Sequence, residues 1–571
     1  MAVSIVRYPQ LELPDLPVSP LLRRIYAHRA IRRSEELEHS LNHLPDPATL
    51  SGMDAAVDLL VWALRHQRRI VVVADYDADG ATSCALAVRA LRAMGADEVR
   101  YVVPNRFEYG YGLTPESVEL AAQQQPDVLL TVDNGISSVE GVAAAQQRGW
   151  KVLITDHHLP GIPLPAADAI VNPNLPADAF PSRHLAGVGV IFYVLLALRS
   201  RLRADAWFAE RGLDVPNMAQ FLDLVAFGTV ADVARLDHIN RILVAQGLKR
   251  IRAGQTCPGI LALCEVAKRD PRQLSAKDLG FALGPRLNAA GRLDDMAVGI
   301  RCLLSDRPSQ ARGLASELDR LNHERRDIES EMVYHAVDKL AEQLKGDLGF
   351  GVCLYDERWH QGVIGILASR IRERIHRPVI AFAPDKNGEI KGSARSVAGL
   401  HIRDVLEAIA TRYPGMIPRF GGHAMAAGLN LPWVYFQEFQ QIFDTEVRRR
   451  IGPEALNEVL YSDGELPAAD LCVAVAEELC AAGPWGQGFP EPLFDGLFTV
   501  ISSQVLKDKH LKLVLNPAAS SHIVDAIAFN KVADFGIPQV GETLRLAYHL
   551  EVNEWRGQRN AQLVVGHLQR A

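Results

Sequence analysis

The stretch at 70–80, IVVVADYDADG, carries five apolar residues straight into three alternating aspartates, Asp75, Asp77 and Asp79. Three later apolar runs also end in polar residues that a core would not accept. The run 99–103 leads into PNRFEYGYG, 127–132 into Asp133, Asn134 and Gly135, and 151–155 into Asp156, His157 and His158. Bunched aspartates repel one another, and keeping them ionised in a crevice requires a compensating positive charge. Two divalent cations would supply it. Asp77 and Asp79, alternating in a turn that leaves a strand, can address adjoining ions, and Asp133 from a neighbouring strand can bridge them. His157 adds a nitrogen ligand, so the mixed set suits manganese, while a mainly oxygen set also admits magnesium. Asp232, set among apolar residues in GTVADVARL, is a further carboxylate candidate. Ion pairs about 3.5–4 Å apart polarise phosphate, generate hydroxide and stabilise the leaving oxygen. Phosphoester hydrolysis is the chemistry this pattern implies.

A single aspartate after a strand is most often a turn or helix-cap residue, and Asp156 can be read as such a support rather than a ligand. Asp75 stands equally between ligand and support. Three acidic strand ends with a double histidine are harder to explain that way. A nucleotide-binding reading fails because neither GxGxxG nor GxxxxGK[ST] follows the first strand.

These residues must be held by regular elements. The apolar runs at 70–74, 99–103, 127–132 and 151–155 alternate with alanine-rich helical stretches at 83–95 and 138–149. Near-continuous apolar strands separated by helices predict a parallel sheet covered on both faces, with ligands beyond the carboxyl ends of its strands. Residues 1–50 read as a proline-punctuated arm with a short helical piece. The region 186–300 reads as mostly helical, and 309–345 as one long connecting helix whose stripe is Leu314, Leu318, Leu321, Ile328, Met332, Ala336, Leu340 and Leu344. A second α/β unit is expected to start at 349, with a strand in PVIAFA, and to end near 450. Five strands, at 497–503, 511–515, 523–529, 543–551 and 561–567, then predict a small β barrel or twisted sheet.

The chain has 571 residues, 48% hydrophobic and 23% charged, enough for several cores. Its net charge of −7 gives no overall basic character, so polyanion binding would need a local groove. Seven scattered cysteines, without CxxC or zinc-like spacing, read as reduced core thiols of a cytosolic protein. The N-terminus has no leader pattern, and no run approaches the roughly 20 apolar residues of a membrane span. A soluble, cytoplasmic protein without membrane association is expected.

DYDADG, VDNG, DHH and GTVADV resemble the four motifs of the DHH phosphoesterase family, and GGHAMAAG at 421–428 resembles its associated second-domain motif. Domain order and length resemble the bacterial single-strand-specific 5'-to-3' exonuclease branch of that family over essentially the whole chain. The resemblance implies an α/β architecture of a DHH parallel-sheet domain (51–308), a connecting helix (309–345), a DHHA1-type second α/β domain (346–450) and a C-terminal OB-fold barrel (455–571). It implies a two-metal core, Mn2+ or Mg2+, held by Asp77, Asp79, Asp133, His157 and Asp232, with Asp75 near or in the shell and His158 facing the scissile phosphate. Many smaller relatives have a histidine where Asp75 stands, which leaves that residue's own role open. It implies release of 5' mononucleotides from single-stranded DNA in repair and recombination. The partners it suggests are single-strand-binding protein and a RecQ-type helicase, with a monomer as the expected state.

Removing nucleotides from a 5' end needs a narrow path, phosphate contacts and recognition of the terminus. Arg286, Asn288 and Arg292 in FALGPRLNAAGR read as a polar loop, where arginine forks suit phosphate oxygens. KGSARS sets Lys391, Ser393, Arg395 and Ser396 after a short strand, and GGHAMAAG supplies His423. The resemblance implies that Ser393, Arg395 and His423 line the substrate path. Arg106, after the second strand, is a further candidate. His360 is read as a helix cap or a packing partner of Trp359. In the barrel, Lys507, Lys509, His510 and Lys512, and a hairpin-like loop with Trp555, Arg556 and Arg559, join phosphate neutralisation to base stacking. Lysines on a strand edge also guard against mispairing, the plainer account of that face. Two other functions compete: a DHH phosphoesterase of short oligoribonucleotides or cyclic dinucleotides, which needs no barrel, and a non-catalytic DNA-binding scaffold, which would be expected to lose ligands.

Overall fold

The computed structural model describes residues 3–105, 108–343, 348–518 and 520–571. They form two compact units, Tyr8–Asn322 with Asp463–Ala571, and Met1–Arg7 with His323–Ser462.

The first unit contains a five-stranded parallel sheet in the order Val99–Val102, Ile70–Ala74, Val128–Val132, Lys151–Thr155, Ala169–Val171. The fifth strand is additional to the four expected. Every residue of Ile70–Ala74 and Val128–Val132 is buried, as both-face coverage requires. Strand alternation divides the side chains between the two faces. Val71, Val73, Leu129, Val152 and Ile154 pack with Val118 and Val142 of the helices Pro115–Ala122 and Val139–Gln147. Ile70, Val72, Leu130 and Leu153 join the larger core, to which helices Ala78–Ala93 and Gly187–Ala204 contribute Leu86, Leu91, Leu195 and Leu198. With both faces occupied by apolar packing, polar side chains collect where the strands end, at Asp75, Asp133 and Asp156.

The same unit carries a closed barrel in the order Phe494–Leu506, His510–Pro517, Val524–Ala528, Gln558–Arg570, Thr543–Trp555. Its pairs are antiparallel except Val524–Ala528 with Gln558–Arg570. Most of its strands run longer than expected because the hairpins stay paired beyond the hydrophobic stretch. The expected arm is packed rather than free: helix Pro20–His28 buries Leu22, Ile25 and Tyr26. Arg29 grips both carboxylate oxygens of Asp463, Nη2 to Oδ2 at 2.9 Å, and His28 Nδ1 lies 2.8 Å from Oδ1.

The second unit has a five-stranded sheet in the order Arg419–Gly422, Ala426–Pro432, Glu389–Arg395, Val379–Pro384, Val352–Tyr355, in which only the last pair is parallel. Phe382, Phe439 and Phe443 fill its core. Val3–Arg7 pairs in parallel with Glu458–Ser462, so the first strand of the chain belongs here. The expected long helix is a single element, Pro308–Gln343, with Leu318, Leu321, Met332, Ala336 and Leu340 buried along its stripe. Leu344 lies outside the described residues.

Three expectations change. FALGPRLNAAGR is not a loop: a π-helical turn, Leu279–Leu283, leads into helix Gly284–Leu293. Its glycines, proline and asparagine imitate a loop, yet Pro285 sits in the first turn, where a missing N–H costs nothing. KGSARS follows the strand Val379–Pro384 but is itself strand rather than loop, because Lys391, Ser393 and Arg395 lie within Glu389–Arg395, which pairs back on it. All seven cysteines are free thiols, but they are not all core residues: Cys257 and Cys472 are half-buried and Cys480 is exposed. Helix Val473–Ala481 turns Ala476 and Leu479 inward, which leaves Cys480 on the outer side. Among the described residues, no helix is long and apolar enough to cross a membrane.

Candidate metal centre and substrate contacts

The strand ends converge. Asp75, Asp77 and Asp133 each place a carboxylate oxygen within 4.8 Å of the others. Ligand atoms of Asp79, His157 and Asp232 cluster within the same limit, as do those of Asp133, His157 and His158. Five segments supply them: the turns after three strands, the start of helix Ala78–Ala93, and the residue closing helix Leu222–Ala231. Asp77 caps the first of these helices, its Oδ1 accepting from Gly80 N at 3.0 Å. Asp79 accepts from Gly187 N at 2.6 Å and Val188 N at 2.9 Å, at the opening of helix Gly187–Ala204. Asp133 adopts φ +62°, a left-handed conformation that aspartate tolerates better than most residues. Gly187 makes room for it, since a β-carbon there would stand 2.6 Å from Asp133 Cβ.

Such crowding is electrostatically expensive. Burial, and then the charge of Asp232, push Asp79 up to about 7. Burial and Asp77 push Asp232 up to about 7. Asp133 is driven well above the usual carboxylate range by burial and by the charges of Asp79, Asp77 and Asp75. Burial and neighbouring His158 hold His157 below its ordinary value, in the neutral form a cation prefers. Asp133 Oδ1 and His157 Nε2 lie 3.0 Å apart, yet both are buried and neither makes an aligned hydrogen bond among the described residues. Buried polar atoms are normally satisfied. Two inward-facing acceptors surrounded by further carboxylates are a donor set that divalent cations fit.

Asp156 behaves differently. Its Oδ2 accepts from Ile136 N at 2.9 Å, and its Oδ1 from His157 N at 2.7 Å and His158 N at 3.1 Å, with His158 Nδ1 at 2.8 Å. With its oxygens so engaged, it orients the two histidines. Burial opposes a charge on His158, but the hydrogen bond to Asp156 and its negative charge outweigh it and raise the imidazole to about 9. Tyr111, not singled out in the sequence, places its hydroxyl 3.2 Å from the His158 ring nitrogens and its ring edge-on to Tyr76. The available signal was GYG at 110–112, on the same sheet edge as the aspartates.

The expected substrate residues divide. Arg286 is only 12% exposed in its side chain, bonded through Nε to Asp319 Oδ1 at 2.8 Å and through Nη1 to Ala282 O at 2.6 Å. Asn288 Oδ1 accepts from Ala78 N at 2.8 Å and so supports the acidic turn. Arg292 is half-buried on the same helix. Arg106 lies outside the described residues.

In the second unit, Arg395 Nη1 donates to Ser393 Oγ at 3.1 Å and to Ala394 O at 2.8 Å. A β-carbon on Gly365 would stand 2.9 Å from Arg395 Nη2 and 3.0 Å from Ser393 Oγ, so both side chains rest on the first turn of helix Ile364–Ile375. A guanidinium at a helix N-terminus favours an anion. His423 is exposed in the adjoining hairpin, where Ala426 is paired with Arg395. Ser396 is buried, its Oγ donating to Leu400 O at 2.7 Å. His360 Nδ1 accepts from Gly362 N at 3.1 Å in the turn ahead of helix Ile364–Ile375, whose cap position is Val363.

In the barrel, Lys507 and Lys509 are exposed on the tight turn joining Leu506 to its strand partner His510. Trp555 and Gln558 are paired across a two-residue turn, Arg556-Gly557, with φ +51° and +78°. Trp555 is 69% exposed, and the Arg556 guanidinium lies 5.8 Å from its ring centroid. Arg559 is engaged by Glu477 at 2.6 Å.

Residues 69–229 match the DHH family, N-terminal domain; 331–449 match the DHHA1 domain; 462–567 match the RecJ OB domain. The chain is 55% identical over 563 residues to the single-stranded-DNA-specific exonuclease RecJ of Dickeya dadantii, covering 98% of this chain and 97% of that protein. The crystal structure of RecJ from Thermus thermophilus in complex with Mn2+ superposes with TM-score 0.81 at 32% identity, over 100% of this chain and 79% of that one. The same protein in complex with Mg2+ gives TM-score 0.76 at 31% identity, over 100% and 78%. The three domains in this order, and identity sustained along nearly the full length, show that the chain belongs to the RecJ family.

Proposed function

We propose that the protein is a single-stranded-DNA-specific exonuclease that hydrolyses phosphodiester bonds from the 5' end with two divalent ions, Mn2+ or Mg2+, and releases 5' mononucleotides. The observation that carries this reading is the pair of buried, unsatisfied acceptors, Asp133 Oδ1 and His157 Nε2, within a ring of carboxylates. Asp77, Asp79, Asp133, His157 and Asp232 would hold the ions, with Asp75 beside them. Bound there, a pair of divalent ions supplies Lewis acidity to a phosphate and to the attacking water.

The chain's own residues do the rest. Asp156 keeps His158 protonated and aimed, so that the imidazolium can meet charge developing on the phosphate oxygens. The Tyr111 hydroxyl lies 3.2 Å from both nitrogens of that ring. Ser393, Arg395 and the exposed His423 offer a second anion site, suited to a backbone or terminal phosphate. Lys507, Lys509, Trp555 and Arg556 offer charge and stacking surface to the strand beyond. The barrel favours a long strand over a cyclic dinucleotide or short oligoribonucleotide, and the complete ligand set disfavours a non-catalytic scaffold. Single-strand-binding protein and a RecQ-type helicase as partners and a role in repair and recombination rest on the family resemblance, cytoplasmic action on the free thiols, and a monomer is the expected state.

Digestion of matched 5'-labelled and 3'-labelled single strands and duplexes, with EDTA and with added Mn2+ or Mg2+, tests direction, strand preference and metal requirement together. Mononucleotide release from the 5' label on single strands alone, abolished by EDTA, is expected. Equal attack on duplex or from the 3' end would refute the assignment.

A further inference from the structure

Two apolar side chains beside the acidic edge are exposed with no folding advantage to account for them. Val233 directly follows Asp232 and is 64% exposed at φ +60°. It terminates helix Leu222–Ala231 in a left-handed turn, its N–H donating to Val230 O at 3.1 Å while Ala234 N donates to Thr229 O at 3.2 Å. Glycine is the usual residue at that point of such a turn, because a β-carbon crowds the carbonyl. A β-branched residue there is strained, and exposure returns little burial to offset the strain. Phe281 is 82% exposed in the middle of the π-helical turn Leu279–Leu283, whose first and last residues are buried. Single π-helical turns occur often at functional sites.

The two residues sit on elements that pack against each other. A β-carbon built on Gly280 would stand 3.3 Å from Val230 Cγ1, and one on Gly284 would stand 3.3 Å from Ala231 Cβ. The π turn therefore packs on the helix end that presents Asp232 and Val233. The helix that continues from it carries Asn288, which supports the acidic turn at Ala78. Phe281 is thus linked through packed helices to the turn and the helix end that carry the carboxylates.

We infer that Val233 and Phe281 form an apolar rim on which unpaired bases of the strand stack, positioning the phosphate at Asp232. This rests on the nuclease reading above and adds the group that recognises the base. The occupant is a nucleobase because Val233 directly follows Asp232, where the proposed ions would meet a phosphate, and in a nucleic acid the apolar face near a phosphate is a base. An aromatic face accepts every base, since each has a π surface, so the contact imposes no sequence. In a duplex those faces are covered by stacking, so the rim selects for single strands. Val233 and Phe281 are positioning residues.

The test uses the full-length protein with oligothymidylate and Mn2+, and separately a strand carrying 2-aminopurine near its 5' end, bound in EDTA. Phe281→Ala should raise KM about tenfold, more than it lowers kcat, and should reduce 2-aminopurine quenching on binding. Phe281→Trp should restore both. Val233→Gly should raise KM while leaving Tm equal or higher, because glycine fits the turn; a purely structural role for Val233 predicts the opposite pairing. Unchanged KM and quenching in folded Phe281→Ala, or a Trp variant as defective as Ala, would overturn the rim. If the wild-type protein fails to cleave single strands, the nuclease reading falls, and the quenching comparison still decides the rim.

Discussion

The acidic edge of the parallel sheet and the hairpin tips of the barrel follow opposite plans. At the edge, five segments bring together side chains that are buried or half-buried, with mutually repelling aspartates and, at Asp133, a left-handed backbone conformation. At the tips, Lys507, Lys509, Trp555 and Arg556 stand exposed on two short local turns. The difference is physical. Charges that must act on one bond are effective when fixed and shielded from water, because a low dielectric strengthens them. Contacts that must grip any strand are better exposed and adaptable, and their electrostatic part is then screened by salt.

The largest effect expected from that contrast is at the edge. Asp133→Asn should lower cleavage by at least about a thousandfold, because one ligand is shared by the clustered groups. It should leave single-strand binding intact and raise metal-free Tm, since a repelling buried charge is removed. Nucleotide release, gel-shift titration and calorimetry measure the three, and a cleaving variant would break the comparison.

Next comes the contact of the N-terminal helix with Asp463, in the segment leading to the barrel. Burial pushes Asp463 up, but hydrogen bonds from His28 and Arg29 outweigh it and hold the carboxyl below its usual range. A depressed value contributes stability above the unfolded carboxylate value near 4, and that stability disappears as pH falls through the folded value. Asp463→Asn should therefore cost about 3 kcal/mol at neutral pH and flatten the fall of Tm below about pH 4. Identical acid profiles for wild type and variant would deny the contact that role.

At the tips, Lys507→Ala, Lys509→Ala and Trp555→Ala combined should weaken binding of long strands about tenfold and reduce its salt dependence, while sparing very short substrates. Equal losses on both lengths would make the barrel structural. The smallest change expected is in Tyr111→Phe, which removes the hydroxyl beside His158 and should lower kcat only about threefold, because Asp156 still holds the His158 ring in place. A loss as large as that of Asp133→Asn would move Tyr111 into the chemistry.

Much of this was legible from residues 70–158, because strand length, branched apolar residues and the polar stop that follows each run are local properties. The barrel and the long helix were legible for the same reason. Misreadings fell where distant contacts override local preference: Gly284–Leu293 is helical because it packs beneath the acidic turn, and Arg286 meets Asp319 rather than solvent. Gly187 and Tyr111 carry no motif of their own.

What the amino-acid order by itself determined, then, was which segments become strands and that each ends in groups able to bind cations, since alternation and burial are properties of neighbouring residues. Tertiary structure alone decided which of those groups face one another unsatisfied, which arginines are already paired, and which apolar side chains are left in the open. Those outcomes depend on distances between residues far apart in the chain, and no local pattern encodes them.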